Sequence, residues 1–177
     1  MCRKNSPLIL LLVLMLTASC STTPSAPGNK APLTGMVYNT EGRPVQGARV
    51  LIDGTQETVT DLNGRFVTPP LTKGAHLLLI SRAGYEEQRT RMDFSSPLEV
   101  LYVRIAPFES LIKEAEDALD REARDEALDY LRRAETVFPD DPALLVLYYT
   151  VFQRSGRPEE AEEYSRRLQE LGLVKEK

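Results

Sequence analysis

Residues 98–116 read Leu98-Glu99-Val100-Leu101-Tyr102-Val103-Arg104-Ile105-Ala106-Pro107-Phe108-Glu109-Ser110-Leu111-Ile112-Lys113-Glu114-Ala115-Glu116. Up to Ile105 the stretch is a short apolar run of strand length. Beyond Pro107 the apolar residues return at Phe108, Leu111, Ile112 and Ala115, so the period of the pattern changes from two to 3.6. A chain that changes period in this way is a mixed α+β multidomain protein. Strand signals at 33–105 predict a small antiparallel β-sandwich, and helix signals at 106–177 predict an antiparallel helical module.

Working back from Ile105, short β-rich runs alternate with turn residues at sandwich spacing. Met36-Val37-Tyr38 precedes the turn Asn39–Pro44; Ala48, Val50 and Ile52 alternate with Arg49, Leu51 and Asp53, and Gly54 ends the run. Gln56–Thr60 and Arg65–Thr68 flank Asp61-Leu62-Asn63-Gly64, where Asp61 can cap its own turn and Gly64 can take a positive φ. The most apolar runs, His76–Ser81 and Leu98–Ile105, are expected as central strands. The tract Asp61–Gly64 also has the start of a calcium loop, but it continues with Arg65-Phe66 rather than further oxygen ligands, so a turn is expected.

The residues Gly35-x-Val37, Gly42-x-Pro44-x-x-Gly47-Ala48-x-Val50, Thr60-Asp61-x-x-Gly64-x-Phe66, Gly74 and Gly84-Tyr85 resemble the carboxypeptidase regulatory-like domain. That family has a transthyretin-like sandwich and serves as an accessory module in exported bacterial proteins. The resemblance implies no peptidase activity: the module is not the catalytic one, and a zinc carboxypeptidase needs two histidines where this chain has His76 alone. His76 stands where the family usually places a core-facing tyrosine. It is expected to be a half-buried packing residue rather than a ligand.

Working forward from Pro107, Pro139-Asp140-Asp141-Pro142, Gly156-Arg157-Pro158 and Gly172 divide the remainder into helices expected near 109–121, 124–137, 142–155 and 158–171. Asp141 before Pro142 is an N-cap followed by a favoured first-turn proline. Residues 105–177 carry 18 acids and 11 bases, mostly a solvated helix face. Shifting the chain by 34 residues lays Phe108 on Pro142, Leu111 on Leu145 and Ala127 on Ala161. This period resembles two tetratricopeptide repeats, with Ala115, Ala127, Ala134 and Ala161 allowing close helix approach and Tyr149 departing from the pattern. The resemblance implies a concave peptide groove displaying Glu109, Ile112, Glu116, Leu119 and Asp120, then Val146, Thr150, Gln153 and Arg154. That mixed acidic and apolar lining suits an amphipathic or basic peptide. Ser110-Leu111-Ile112-Lys113 matches the Ser-x-x-Lys of penicillin-interacting enzymes, but the companion motifs are missing and Ser110 is expected to cap a helix.

At the N-terminus, Arg3-Lys4, the apolar run Leu8–Leu16 and Leu16-Thr17-Ala18-Ser19-Cys20 form a signal segment over 1–19. The apolar run is too short to span a bilayer. Its ending resembles the lipobox of bacterial lipoproteins, which implies that Cys20 is the lipid-attachment residue. Ser21 in the following position implies outer-membrane more than inner-membrane placement. Residues 20–32, with three prolines and little apolar bulk, are expected as a disordered tether.

The whole chain of 177 residues has a formal net charge of −4; loss of Met1–Ser19 removes Arg3 and Lys4 and leaves −6. That balance argues against nucleic-acid binding. With one histidine, no tryptophan and Cys20 acylated, no cofactor, metal or catalytic constellation is expected. The expected function is a membrane-anchored, non-enzymatic envelope adaptor for a protein or peptide partner. The alternatives are a carbohydrate or cell-wall binding module using Tyr38, Tyr85 and Phe94, and a subunit of an envelope assembly or export machine.

Overall fold

The structure, a computed structural model, describes residues 30–173. The expected signal segment, Cys20 and most of the expected tether lie outside the described residues. Nine strands are followed by four helices among the described residues: β1 (Lys30–Ala31), β2 (Thr34–Asn39), β3 (Arg49–Ile52), β4 (Gln56–Val59), β5 (Arg65–Val67), β6 (Leu71–Thr72), β7 (Gly74–Ser81), β8 (Gln88–Phe94), β9 (Val100–Ile105), α1 (Phe108–Asp120), α2 (Arg124–Glu135), α3 (Pro142–Arg154) and α4 (Pro158–Glu170). The expected α+β organisation is what the chain adopts.

Sheets of order β5-β2-β9 and β4-β3-β7-β8 face each other, and β1 pairs with β6 beside them. Alternation drives the packing: Val37 on β2, Val50 and Ile52 on β3, Leu78 and Ile80 on β7 and Val103 and Ile105 on β9 all point into one core with Phe66 and Phe94. Each such fully buried side chain contributes about 1.5–3 kcal/mol. Close approach is possible because Gly35 lies under the Phe66 ring, where a Cβ would overlap the ring carbons. The buried threonines are satisfied: Thr60 Oγ1 donates to Val45 O (2.6 Å) and accepts from Ala48 N (2.8 Å), and Thr68 Oγ1 accepts from Leu33 N (3.0 Å).

Three expectations are corrected. Strand pairing is present before residue 33, because Lys30–Ala31 of the expected tether pair with Leu71–Thr72 and Leu33 is buried. The run Leu98–Ile105 is not a central strand: β9 starts at Val100 and lies at a sheet edge, and Leu98 is 90% exposed. The sandwich is also not wholly antiparallel, since β2 and β9 run parallel in register from Thr34↔Val100 to Asn39↔Ile105.

The parallel pair fixes the polarity of the molecule. Strand β2 leaves the pole where the described residues begin, and β9 delivers the chain to the opposite pole, where α1 starts. There the β7–β8 connection receives the helices: Glu86 N donates to Ala106 O (2.8 Å) and Phe108 N to Gly84 O (2.9 Å). Phe108 meets Phe138 edge to face at 5.1 Å, and Arg133 grips both carboxylate oxygens of Glu86 at 2.9 and 2.8 Å.

Helix starts recur at the expected interval, α1 to α3 (142 − 108 = 34) and α2 to α4 (158 − 124 = 34). Asp141 caps α3 through bonds from Ala143 N (2.9 Å) and Leu144 N (3.4 Å). Ser110 does not cap α1, which starts at Phe108 after an extended Pro107 and has no side-chain cap. Ala115, Ala118, Ala127, Ala134 and Ala161 are fully buried where the helices touch.

At the pole where the described residues begin, His76 is 9% exposed and both its ring nitrogens face acceptors. Nδ1 lies 2.6 Å from Asp53 Oδ2 and Nε2 lies 2.8 Å from Thr72 O. A neutral imidazole can donate only once, so the protonated ring satisfies both partners. The expected packing histidine is therefore a polar clasp that ties the β3–β4 turn to β6. Asp53 holds the turn from a left-handed φ of 51° and accepts Leu77 N at 2.9 Å. The hydrogen bond to Asp53 raises the His76 pKa, helped by the Thr72 carbonyl and the more distant Asp93; the bond from His76 lowers that of Asp53, helped by Leu77 N.

Two outcomes follow from this packing. Gly35→Ala overfills the space under Phe66 and lowers stability by about 1–3 kcal/mol, read as a fall in the denaturation midpoint; an unchanged midpoint would contradict the close packing. The clasp contributes in a pH window. The raised His76 pKa stabilises fully below its unfolded value of about 6.5, and the gain is lost as pH rises through the folded value. The lowered Asp53 pKa stabilises above its unfolded value of about 3.9, and that gain is lost as pH falls through the folded value. Denaturation from pH 4 to 9 should thus show a wild-type advantage over His76→Gln that shrinks on the alkaline side; a pH-independent difference counts against the clasp.

Candidate functional site

On the helical module, part of the expected lining is exposed among the described residues. On α1, Glu116 and Asp120 are exposed one turn apart; on α3, Val146, Gln153 and Arg154 are exposed and Thr150 is half-buried at i, i+4, i+7 and i+8 spacing. Thr150 Oγ1 donates back to Val146 O at 2.8 Å, and Gln153 Nε2 reaches Tyr149 OH at 3.4 Å. Both helices touch each other, so the acidic pair and the Val146 stripe sit on one module.

Not all of the expected lining is displayed. Ile112 and Leu119 are 9% and 5% exposed and belong to the helical core with Ala115, Leu131 and Tyr148, because the apolar stripe of α1 turns toward α2 and α3. Glu109 is displaced in another way. It borders a concavity between the sandwich and α1, with Arg43, Leu62, Arg82, Tyr85 and Ser110. What remains on the face is Glu116, Asp120, Val146, Thr150, Gln153 and Arg154, to which the exposed Tyr149 adds.

The helices carrying this face are held from behind by an aromatic stack. Tyr148 lies 4.5 Å from Tyr164 and 6.0 Å from Phe152, each nearly parallel. Tyr148 OH donates to Glu135 Oε2 at 3.1 Å. Burial, then the Glu135 charge, pushes the Tyr148 phenol well above its usual range, so it remains a donor at any working pH. Arg167 closes the same corner on Pro139 O (2.8 Å) and Asp140 Oδ1 (3.0 Å).

On the sandwich, the expected aromatic candidates separate. Phe94 is core, and Tyr85 is half-buried under the Arg82 guanidinium at 5.2 Å. Tyr38 stays on the outer face of β2 and lies nearly parallel to Tyr102 of β9, with ring centroids 6.5 Å apart. Tyr102 is 68% exposed, and with Gly42, Val103 and Arg104 the pair borders a shallow concavity. Sequence inspection missed Tyr102 because its run reads as a buried strand. The turn reading of Asp61 holds, with Oδ1 accepting Asn63 N and Arg65 N at 2.9 Å each. Among the described residues no group of three or more His, Cys, Asp or Glu is placed to hold a metal, and no helix is long and apolar enough to cross a membrane.

No curated protein matches the chain. Among solved structures, a type II cohesin–X-dockerin complex from Acetivibrio cellulolyticus is similar at 20% identity, covering 44% of this chain and 58% of that one, with a TM-score of 0.38. Catechol 1,2-dioxygenase from Pseudomonas arvilla is similar at 14% identity over 48% and 54%, with a TM-score of 0.38. The TIE protein of Bacillus anthracis is similar at 16% identity over 45% and 17%, with a TM-score of 0.39. This chain spans less than two thirds of each. Residues 32–100, within the β-sandwich, match the family model of the carboxypeptidase regulatory-like domain, and a helical module follows.

Proposed function

We propose that this protein is a lipid-anchored, non-enzymatic adaptor of the bacterial envelope, held through Cys20 and placed in the outer membrane. Its tetratricopeptide-like helices receive a basic, amphipathic segment of a protein partner. The observation that carries the reading is the parallel pairing of β2 with β9, which puts Thr34, at the start of β2, and the helices at opposite poles of one sandwich. An anchored chain of this form projects its acidic and apolar helical face away from the bilayer. The 34-residue recurrence of helix starts supports the repeat assignment. The partner chemistry comes from the exposed Glu116 and Asp120 of α1 and the exposed Val146 and Tyr149 of α3: cationic side chains would meet the first pair and apolar ones the second.

One observation favours a second reading. The exposed Tyr102, with the half-buried Tyr38 and Arg104 beside it, is a surface on which a sugar ring could stack. Retention on purified peptidoglycan that is lost in Tyr102→Ala would favour a wall-binding module.

Two measurements test the first reading. Cys20→Ala should move the protein from the membrane fraction to the soluble fraction; a variant that is still processed and membrane-bound overturns the anchor. Binding of a synthetic Lys/Leu amphipathic peptide, followed by fluorescence anisotropy, should weaken about tenfold in Glu116→Lys/Asp120→Lys, equivalent to about 1.4 kcal/mol, and weaken further with salt. Unchanged binding in that variant and in Val146→Asp removes the helical face as the site.

A further inference from the structure

We propose that the pole of the sandwich where the described residues begin rests on the lipid surface, with Leu98 as its apolar contact and Lys30 and Lys73 facing anionic headgroups. This inference rests on the anchoring of Cys20 proposed above and specifies which surface the anchor brings to the bilayer.

Four parts of the chain meet at this pole: β1 with Lys30, the stretch 68–73 joining β5 to β7 through β6, the β3–β4 turn at Asp53–Thr55, and the β8–β9 loop at 95–99. Leu98 is more exposed than any other large hydrophobic residue among those described. The loop is built to present it. Glu99 N donates to Ser96 O at 3.2 Å, closing a turn with Pro97 and Leu98 at its centre, and Leu98 N donates to Ser96 Oγ at 3.2 Å. Val67 and Val100, exposed at the ends of β5 and β9, add apolar surface behind it.

The pole carries charges of both signs. The Glu99 carboxylate accepts from Ser95 Oγ, Asp53 is bonded to His76 and Leu77 N, and Asp93, opposite Ala75, is exposed. Lys30 and Lys73 stand exposed and complement anionic lipid. The occupant follows from the length of chain ahead of the structure. Cys20 precedes Lys30 by ten residues, a span of at most about 35 Å when fully extended and roughly 16–19 Å as a coil. At that reach this pole is the part of the fold nearest the bilayer, because the helices dock at the other one. A single leucine with two lysines gives a weak contact by itself, which suffices once an anchor has supplied proximity.

The test uses the full, lipidated chain on phosphatidylethanolamine vesicles containing phosphatidylglycerol. Cys2 leaves with the signal segment and Cys20 is acylated, so Leu98→Cys supplies a sole free thiol for an environment-sensitive fluorophore. Leu62→Cys, in the exposed turn at the helix-side pole, serves as the control. On vesicles the label at 98 should shift to the blue and be quenched several-fold by lipid-borne quenchers, while the label at 62 keeps its aqueous spectrum. Lys30→Glu/Lys73→Glu should reduce the quenching at 98. If the chain sediments with vesicles and the label at 98 stays in water, the pole inference is overturned and the anchor stands. A blue shift without lipid quenching also overturns it, in favour of a protein contact or a second copy. If the chain does not sediment with vesicles, the anchor reading fails and the pole inference falls with it.

Discussion

The register of β2 against β9 is the constraint on which the rest of the structure depends. A parallel neighbour cannot be reached by a tight turn, so all of β3 to β8 is spent between the two strands. Because the pair is parallel, the segment that begins at one pole ends at the other. An antiparallel pairing of the same two strands would have returned the chain to its starting pole and placed the helices beside the N-terminal segment.

The helical module is docked rather than merely attached. Two backbone hydrogen bonds join the β7–β8 connection to the first residues around α1, and the bridge between Tyr85 and Pro107 continues the sheet pattern into the linker. The forked Glu86–Arg133 contact then fixes α2 to the same connection, at 22% and 38% side-chain exposure. Pairs that exposed contribute little to stability, but their bidentate geometry is orientationally selective. The Phe108–Phe138 contact lies within the helical module, and the hydrogen bonds and the ion pair hold the modules in a defined relation.

Local chemistry was legible in the sequence and non-local chemistry was not. The Asp61 turn, the Asp141 cap and the helix limits to within about two residues are decided by neighbours a few positions away. Asp53 and His76 are 23 residues apart, and Glu86 and Arg133 are 47 apart; neither pairing leaves a local signal. Leu98 was misread because hydrophobicity marks both a strand interior and a loop tip, and the distinction depends on Ser96 and Pro97 closing a turn. On the helical module Glu116 and Asp120 are exposed, Glu109 borders the concavity beside the sandwich, and Ile112 and Leu119 were assigned outward although the stripe they share with Ala115 and Ala118 is the packing surface of α1.

The β2–β9 pair also determines how the molecule bears load. Tension applied between the N-terminal segment and the helices pulls the start of β2 one way and the end of β9 the other, along their common axis. The hydrogen bonds between Thr34–Asn39 and Val100–Ile105 are then strained together rather than opened one after another. The two-residue β1–β6 pair, by contrast, presents its end to the same pull and would peel first. Loaded between Lys30 and α1, the sandwich would thus act as a shear joint with a short flap at its leading edge.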